Sequence, residues 1–180
     1  MTDDDAAEGP ERTPDGRYVV VDGRRWRPTD PGIPEKLAAE LRKALMAARR
    51  DVGTARRTGA DPTPVRRRVQ SAKVALGERG RPWWEPAQEE TDHDDRIAET
   101  IRAMVEVRAP GTTCPSDVAR IVGGHEWRAL MPAVRRVAQR LVEEGDVVVT
   151  QKGEPVGPPW RGPIRIGLPA RKDAEDRPPV

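Results

Sequence analysis

The chain has 180 residues, and its 32 Lys plus Arg nearly balance its 30 Asp plus Glu. That length admits one ordinary domain or two small ones, and no apolar run is long enough to span a bilayer. With no Phe, one Tyr and five Trp, the core has to be built from small aliphatic side chains around a few indole anchors.

The opening MTDDDAAEGPE is acidic and has no apolar segment, so no secretory leader is expected and the protein reads as cytoplasmic. Residues 1–14 read as a disordered acidic tail. A β-hairpin follows, with Tyr18 to Val21 as one strand, Asp22-Gly23 as a favoured two-residue turn, and Arg24 to Arg27 as the return. Trp26 is expected to pack this hairpin onto the next elements.

From about Pro34 to Thr54 the apolar residues Leu37, Leu41, Leu45, Ala48 and Val52 fall on one helical face. Asp61 is placed to cap a second helix running to about Gly77, with Val65, Val69, Ala72 and Leu76 inward. The short connection makes the two an antiparallel helical hairpin. Between residues 34 and 81, thirteen Lys and Arg face five Asp and Glu, a surplus of +8 that can steer a polyanion. Trp83 and Trp84 close this module, which spans residues 15–84. They are expected to be packing anchors, either at the junction of hairpin and helices or against the second half.

Residues 85–91 read as a linker. The domain at 92–168 begins with Thr91 or Asp92 as cap and a helix carrying Ile97, Ile101, Met104 and Val105, ended by Pro110-Gly111. Thr113 or Cys114 caps the next helix, Pro115 fits its first turn, and Gly123-Gly124 stop it. After a short turn over 125–130, Pro132 starts a third helix with Val134, Val137, Ala138 and Leu141 buried. Asp146 to Gln151 is rich in strand formers, KGEPVGPPWRGP is a turn-rich wing, and Pro163 to Leu168 returns as a second strand. Residues 169–180 read as a disordered tail.

The run SDVARIVGG followed by RLVEEGDVVVT resembles the winged helix-turn-helix superfamily. The run VTQKG…RGPIRI resembles a small bacterial family of uncharacterised function with the same shape. The resemblance implies a mainly α fold, with three helices and a two-stranded wing behind the hairpin module. It also implies that the third helix enters the major groove of DNA while the wing touches the backbone or the minor groove. Carried over, Arg135, Arg136, Gln139 and Arg140 become candidate DNA contacts on the helix, and Lys152, Trp160 and Arg161 become candidates on the wing. Within 92–168, however, eleven Lys and Arg are balanced by eleven Asp and Glu, so a basic footprint requires clustering on one face.

No catalytic constellation emerges. Cys114 and His125 flank one helix without a third, orienting group, and Gly123-Gly124 lack the strand and lysine of a phosphate loop. A lone cysteine excludes an internal disulfide, and Cys114, His93 and His125 fall short of a four-ligand zinc site. The sequence therefore points to a non-enzymatic, regulatory or accessory protein without metal or cofactor, binding duplex DNA. The alternative is a protein-docking or dimerisation module anchored on Trp127, Trp160 and the Trp83-Trp84 pair.

Overall fold

Residues 11–170 are described by the structure, a computed structural model. Most of the expected acidic tail, residues 1–10, and most of the expected C-terminal tail, residues 171–180, lie outside the described residues. The fold is mainly helical, with two small antiparallel sheets.

The first sheet is the expected hairpin. Strands β1 (Val19–Val21) and β2 (Arg24–Trp26) pair in register Val19 to Trp26. Asp22 and Gly23 both take positive φ, 50° and 71°, the backbone a two-residue turn needs to match strand twist. Pairing also reaches upstream of the expected module boundary, since Arg12 bridges to Val19 and the Val20 amide donates to the Glu11 carbonyl. Trp26 does not fill the role expected of it. It is 46% exposed, with the Lys73 ammonium 5.7 Å from its ring centroid. Trp84 anchors the hairpin instead, meeting Tyr18 edge-on at 5.5 Å and receiving the guanidiniums of Arg17 and Arg27. Of the two places open to the tryptophan pair, the junction is where Trp84 sits, and Trp83 packs edge-on against it at 5.0 Å.

Helices α1 (Glu35–Thr58) and α2 (Thr63–Ala75) form the helical hairpin. Gly59, at φ 72°, ends α1 in the left-handed conformation, and the Asp61 carboxylate accepts the Thr63 amide at 2.9 Å to start α2. The expected inward residues of α1 are buried except Val52, which is half-buried.

Helix α3 (Asp94–Arg108) follows. The expected caps are not used, because the Asp92 carboxylate accepts the amides of Gln88 and Glu89 instead, and His93 precedes the helix without a side-chain cap. Helix α4 (Pro115–Gly123) begins after Cys114, whose sulfur contacts the Ser116 hydroxyl at 3.0 Å rather than capping. Thr113 is fully buried and trades two backbone hydrogen bonds with Ile166. A single 3₁₀ turn at Gly124–Glu126 leads into α5 (Met131–Glu143).

The second sheet has three strands where two were expected. Strands β3 (Val148–Gln151), β4 (Glu154–Pro155) and β5 (Arg165–Gly167) lie in the order β4-β3-β5, both pairs antiparallel. Lys152 and Gly153, again at positive φ, form the β3–β4 turn. Residues 156–163 then cross back to β5.

The halves share one core. A continuous apolar cluster runs from Ile33, Leu41 and Leu76 through Ile97, Ile101 and Met104 to Val134, Leu141 and Ile166. Helix α3 is its axis, touching α1, α2, α4 and α5. Two arginines on α3 tie the halves electrostatically. Arg96 reaches Asp30 at 2.7 Å, with both side chains about one-eighth exposed, and lies near the carbonyls of Ala75 and Ile121. Arg108 grips both carboxylate oxygens of Glu40 on α1, at 2.7 and 3.1 Å, and also reaches Asp117 on α4 at 2.7 Å. The Glu40 hydrogen bond is the main reason the Arg108 guanidinium is held above its already high range.

Candidate nucleic-acid interface

Helix α5 presents its polar side by geometry. Val134, Val137, Ala138 and Leu141 are buried at one- to four-residue spacing, which turns Arg135, Arg136, Gln139 and Arg140 outward. All four make contacts within the chain. Arg136 pairs with Glu90 at 2.7 Å and with Asp94, in the first turn of α3, at 2.8 Å. The Asp94 hydrogen bond is the largest cause holding its guanidinium above the ordinary range. Gln139 donates to Glu143 at 3.0 Å, and Arg140 lies 3.7 Å from Glu144. Arg135 serves the loop rather than solvent, donating to the carbonyls of Trp160 and Gly162 at 3.2 and 2.6 Å.

The three wing candidates separate. Lys152, in the β3–β4 turn, is exposed and forms no ion pair among the described residues. Trp160 is half-buried against the core and donates its indole N–H to the Val156 carbonyl at 3.1 Å, so its main role is packing. The Arg161 side chain is exposed, while its carbonyl accepts from Gln151 at 2.7 Å. The loop at 156–163 is thus stitched to α5 by Arg135 and to β3 by Gln151.

One cluster was not foreseen from the sequence. The guanidiniums of Arg120 and Arg128 lie 4.6 and 4.5 Å from the centroid of half-buried Trp127, at the turn between α4 and α5. The adjacent Trp127-Arg128 pair was its visible signal. Arg120 comes from the preceding helix, and only the fold brings it there.

The helical hairpin handles its charge differently. Of the three carboxylates on α1, Glu35 pairs with Arg42, Glu40 with Arg108, and Asp51 with Arg68. Lys36, Lys43, Arg49, Arg50, Arg56 and Arg57 are exposed and without an ion-pair partner among the described residues.

Cys114 and His125 lie beyond opposite ends of α4, a nine-residue helix about 13 Å long, so they form no nucleophile–base pair. No group of three or more His, Cys, Asp or Glu side chains is placed to hold a metal ion among the described residues. No helix among the described residues is long and apolar enough to cross a membrane. A cavity of about 430 Å³ lies between α2, α3 and the end of β5. Two arginines on its wall are already paired, Arg68 with Asp51 and Glu106, and Arg102 with Glu99, Glu144 and Asp146.

Residues 94–169, from the start of α3 to just beyond β5, match a family described as a protein of unknown function (DUF3253). No curated protein matches the chain.

Proposed function

We propose that residues 94–169 are a winged-helix unit that binds duplex DNA in a regulatory or accessory role, without catalysis. Helix α5 is the reading helix and the β3–β4 turn is the wing. The observation that carries this reading is the outward face of α5, where Arg136, Gln139 and Arg140 stand exposed opposite a fully packed apolar face. Three helices followed by a sheet with a protruding turn fit the same reading.

The ion pairs on α5 do not oppose it strongly. Arg136 and Arg140 are more than a third exposed, and exposed pairs contribute roughly 0–1 kcal/mol, so a phosphate can take a carboxylate's place at little cost. Phosphate neutralisation supplies affinity, while arginine to guanine and glutamine to adenine supply discrimination. Arg135 acts through the wing by fixing the loop that carries Arg161.

The test is fluorescence anisotropy of labelled duplex DNA against the full chain over a salt series. Arg136→Ala and Arg140→Ala are each expected to weaken binding, selectively among sequences if they read bases. Unchanged binding by both excludes α5 as the reader.

A protein-docking reading is favoured by one specific observation, the commitment of every basic side chain on α5 to a partner within the chain. In that reading Trp127 and Trp160 anchor the interface. Absence of DNA binding at low salt, together with capture of a defined protein partner that Trp127→Ala abolishes, would establish it.

A further inference from the structure

Helix α1 carries seven cations, and their positions repeat. Lys36, Lys43, Arg50 and Arg57 stand seven residues apart, and Arg42, Arg49 and Arg56 form a second series one residue earlier. Seven residues are almost two helical turns, so each series runs nearly along the axis, drifting about 20° per repeat. Successive cations in a row are about 10.5 Å apart, and the helix is about 36 Å long. Ala39, Met46 and Gly53 share the same seven-residue spacing and fall between the rows. The opposite side is occupied by the buried residues Leu37, Leu41, Leu45, Ala48 and Ala55.

An ordinary solvated face mixes signs and gains from pairs four residues apart. Here the acids of α1 leave the rows largely uncompensated among the described residues, since Glu40 and Asp51 pair with cations on other helices and, of the seven, Arg42 is matched by Glu35. Exposed charges about 10 Å apart lie beyond the screening length of about 8 Å at physiological salt, so the rows stand open without strong mutual repulsion. A long, regularly charged anion that meets them gains by releasing its own condensed counterions.

A lipid surface fits poorly, because an interfacial helix buries its apolar face in the headgroups and the apolar face of α1 is already in the core. An acidic helix fits poorly too, because Ala39, Met46 and Gly53 make no apolar seam of coiled-coil kind. Duplex DNA presents one charge per about 1.7 Å of its axis, so a cation row this long meets phosphates in any register.

We propose that the outer face of α1 is a second DNA-contacting surface, binding the sugar–phosphate backbone of a duplex without regard to sequence. It stands on the charges of α1 alone and does not rest on the reading of α5.

The experiment measures binding of the full chain to a labelled random-sequence duplex between low and physiological salt. Three proteins are compared, namely K43Q/R50Q/R57Q, the charge-retaining K43R/R50K/R57K, and R136A/R140A. Circular dichroism and urea midpoints matching the parent confirm that each is folded. The glutamine variant is expected to lower the magnitude of the log–log salt slope by about 2 to 3 and to bind on the order of a hundredfold more weakly at physiological salt. The charge-retaining variant is expected to bind like the parent.

Unchanged slope and affinity in the glutamine variant overturns the proposal, and if R136A/R140A then loses binding, α5 alone is the DNA surface. Loss in the charge-retaining variant as large as in the glutamine variant also overturns it. So does competition by polyglutamate as effective as by unlabelled duplex at equal charge, because the partner is then an acidic protein segment. Binding of duplex RNA with none of duplex DNA overturns it as well.

Discussion

Helices α1 and α5 both turn arginines outward from a tightly packed apolar stripe, but their neighbours treat those arginines in opposite ways. Around α5, carboxylates converge from two sides: Glu90 precedes α3 and Asp94 opens it, while Glu143 and Glu144 stand at the end of α5 itself. Around α1, carboxylates are drawn off, with Glu40 turned to Arg108 and Asp51 to Arg68. A count of basic residues therefore says little about available charge. What decides availability is where the acids of the same element and its neighbours find their partners.

The contrast assumes that one scaffold holds both faces, and the largest expected effect tests that. Leu41 is fully buried on α1, in the cluster that continues to Leu141 and Ile166. Leu41→Ala is expected to cost about 2–5 kcal/mol and to lower the stability of the whole molecule as one unit. Urea unfolding followed by tryptophan fluorescence and by circular dichroism should give one coincident transition. Two separated transitions would mean that the faces sit on independent folding units.

Next in size is the clasp between the two regions. Arg108→Ala removes a bidentate pair with Glu40 and a bond to Asp117, all partly buried. A loss of roughly 1.5–3 kcal/mol is expected from the charged hydrogen bonds, measured by the same denaturation. The variant also releases Glu40 beside the cations of α1, so weaker DNA binding is expected if α1 is a contact surface. Undiminished binding would separate Glu40 from that face.

On α5 the expectation is reversed. Arg136→Ala should change stability by no more than about 1 kcal/mol, because the Arg136 side chain that both ion pairs share is more than a third exposed. A larger loss would mean that Arg136 is structural and would sharpen the contrast with α1.

The smallest effect is a pH dependence at the start of α3. Burial, aided by Arg96 and Arg81, pushes the His93 imidazole below its usual range, against the opposing pull of Asp92 and Asp94. The unfolded chain then takes up a proton before the folded one does. The stability contributed by neutral His93 is present above the ordinary histidine pKa and is lost as pH falls through the lowered value. His93→Gln should flatten that part of the stability profile, and an unchanged profile would remove His93 as its source.

Much of the helical framework could be read from the chain because local spacing determines it. The four buried residues of α5, the Asp22-Gly23 turn and the glycine stop of α4 are all properties of adjacent residues. Strand β4 was missed because Glu154–Pro155 offers two residues and no alternation. Trp26 was misplaced because packing depends on which surface arrives above a hairpin, and Trp84, far along the chain, arrives at Tyr18. The state of the α5 arginines was hidden for the same reason. The acids that meet Arg136 lie 42 and 46 positions upstream, and no periodicity of α5 reports them.

Arg96 has a consequence for portability. It lies within the matched stretch 94–169, but Asp30, the carboxylate that neutralises it, lies far outside. Transplanted alone, the stretch would lose both the carboxylate that pairs with Arg96 and the Ala75 carbonyl beside it, opening that guanidinium to solvent. It would also carry an α3 stripped of α1 and α2 along two sides. A graft would need a new polar coat over the sides of α3 that α1 and α2 now cover. The matched stretch begins at residue 94, while the packing around α3 reaches back to Ile33 and Asp30.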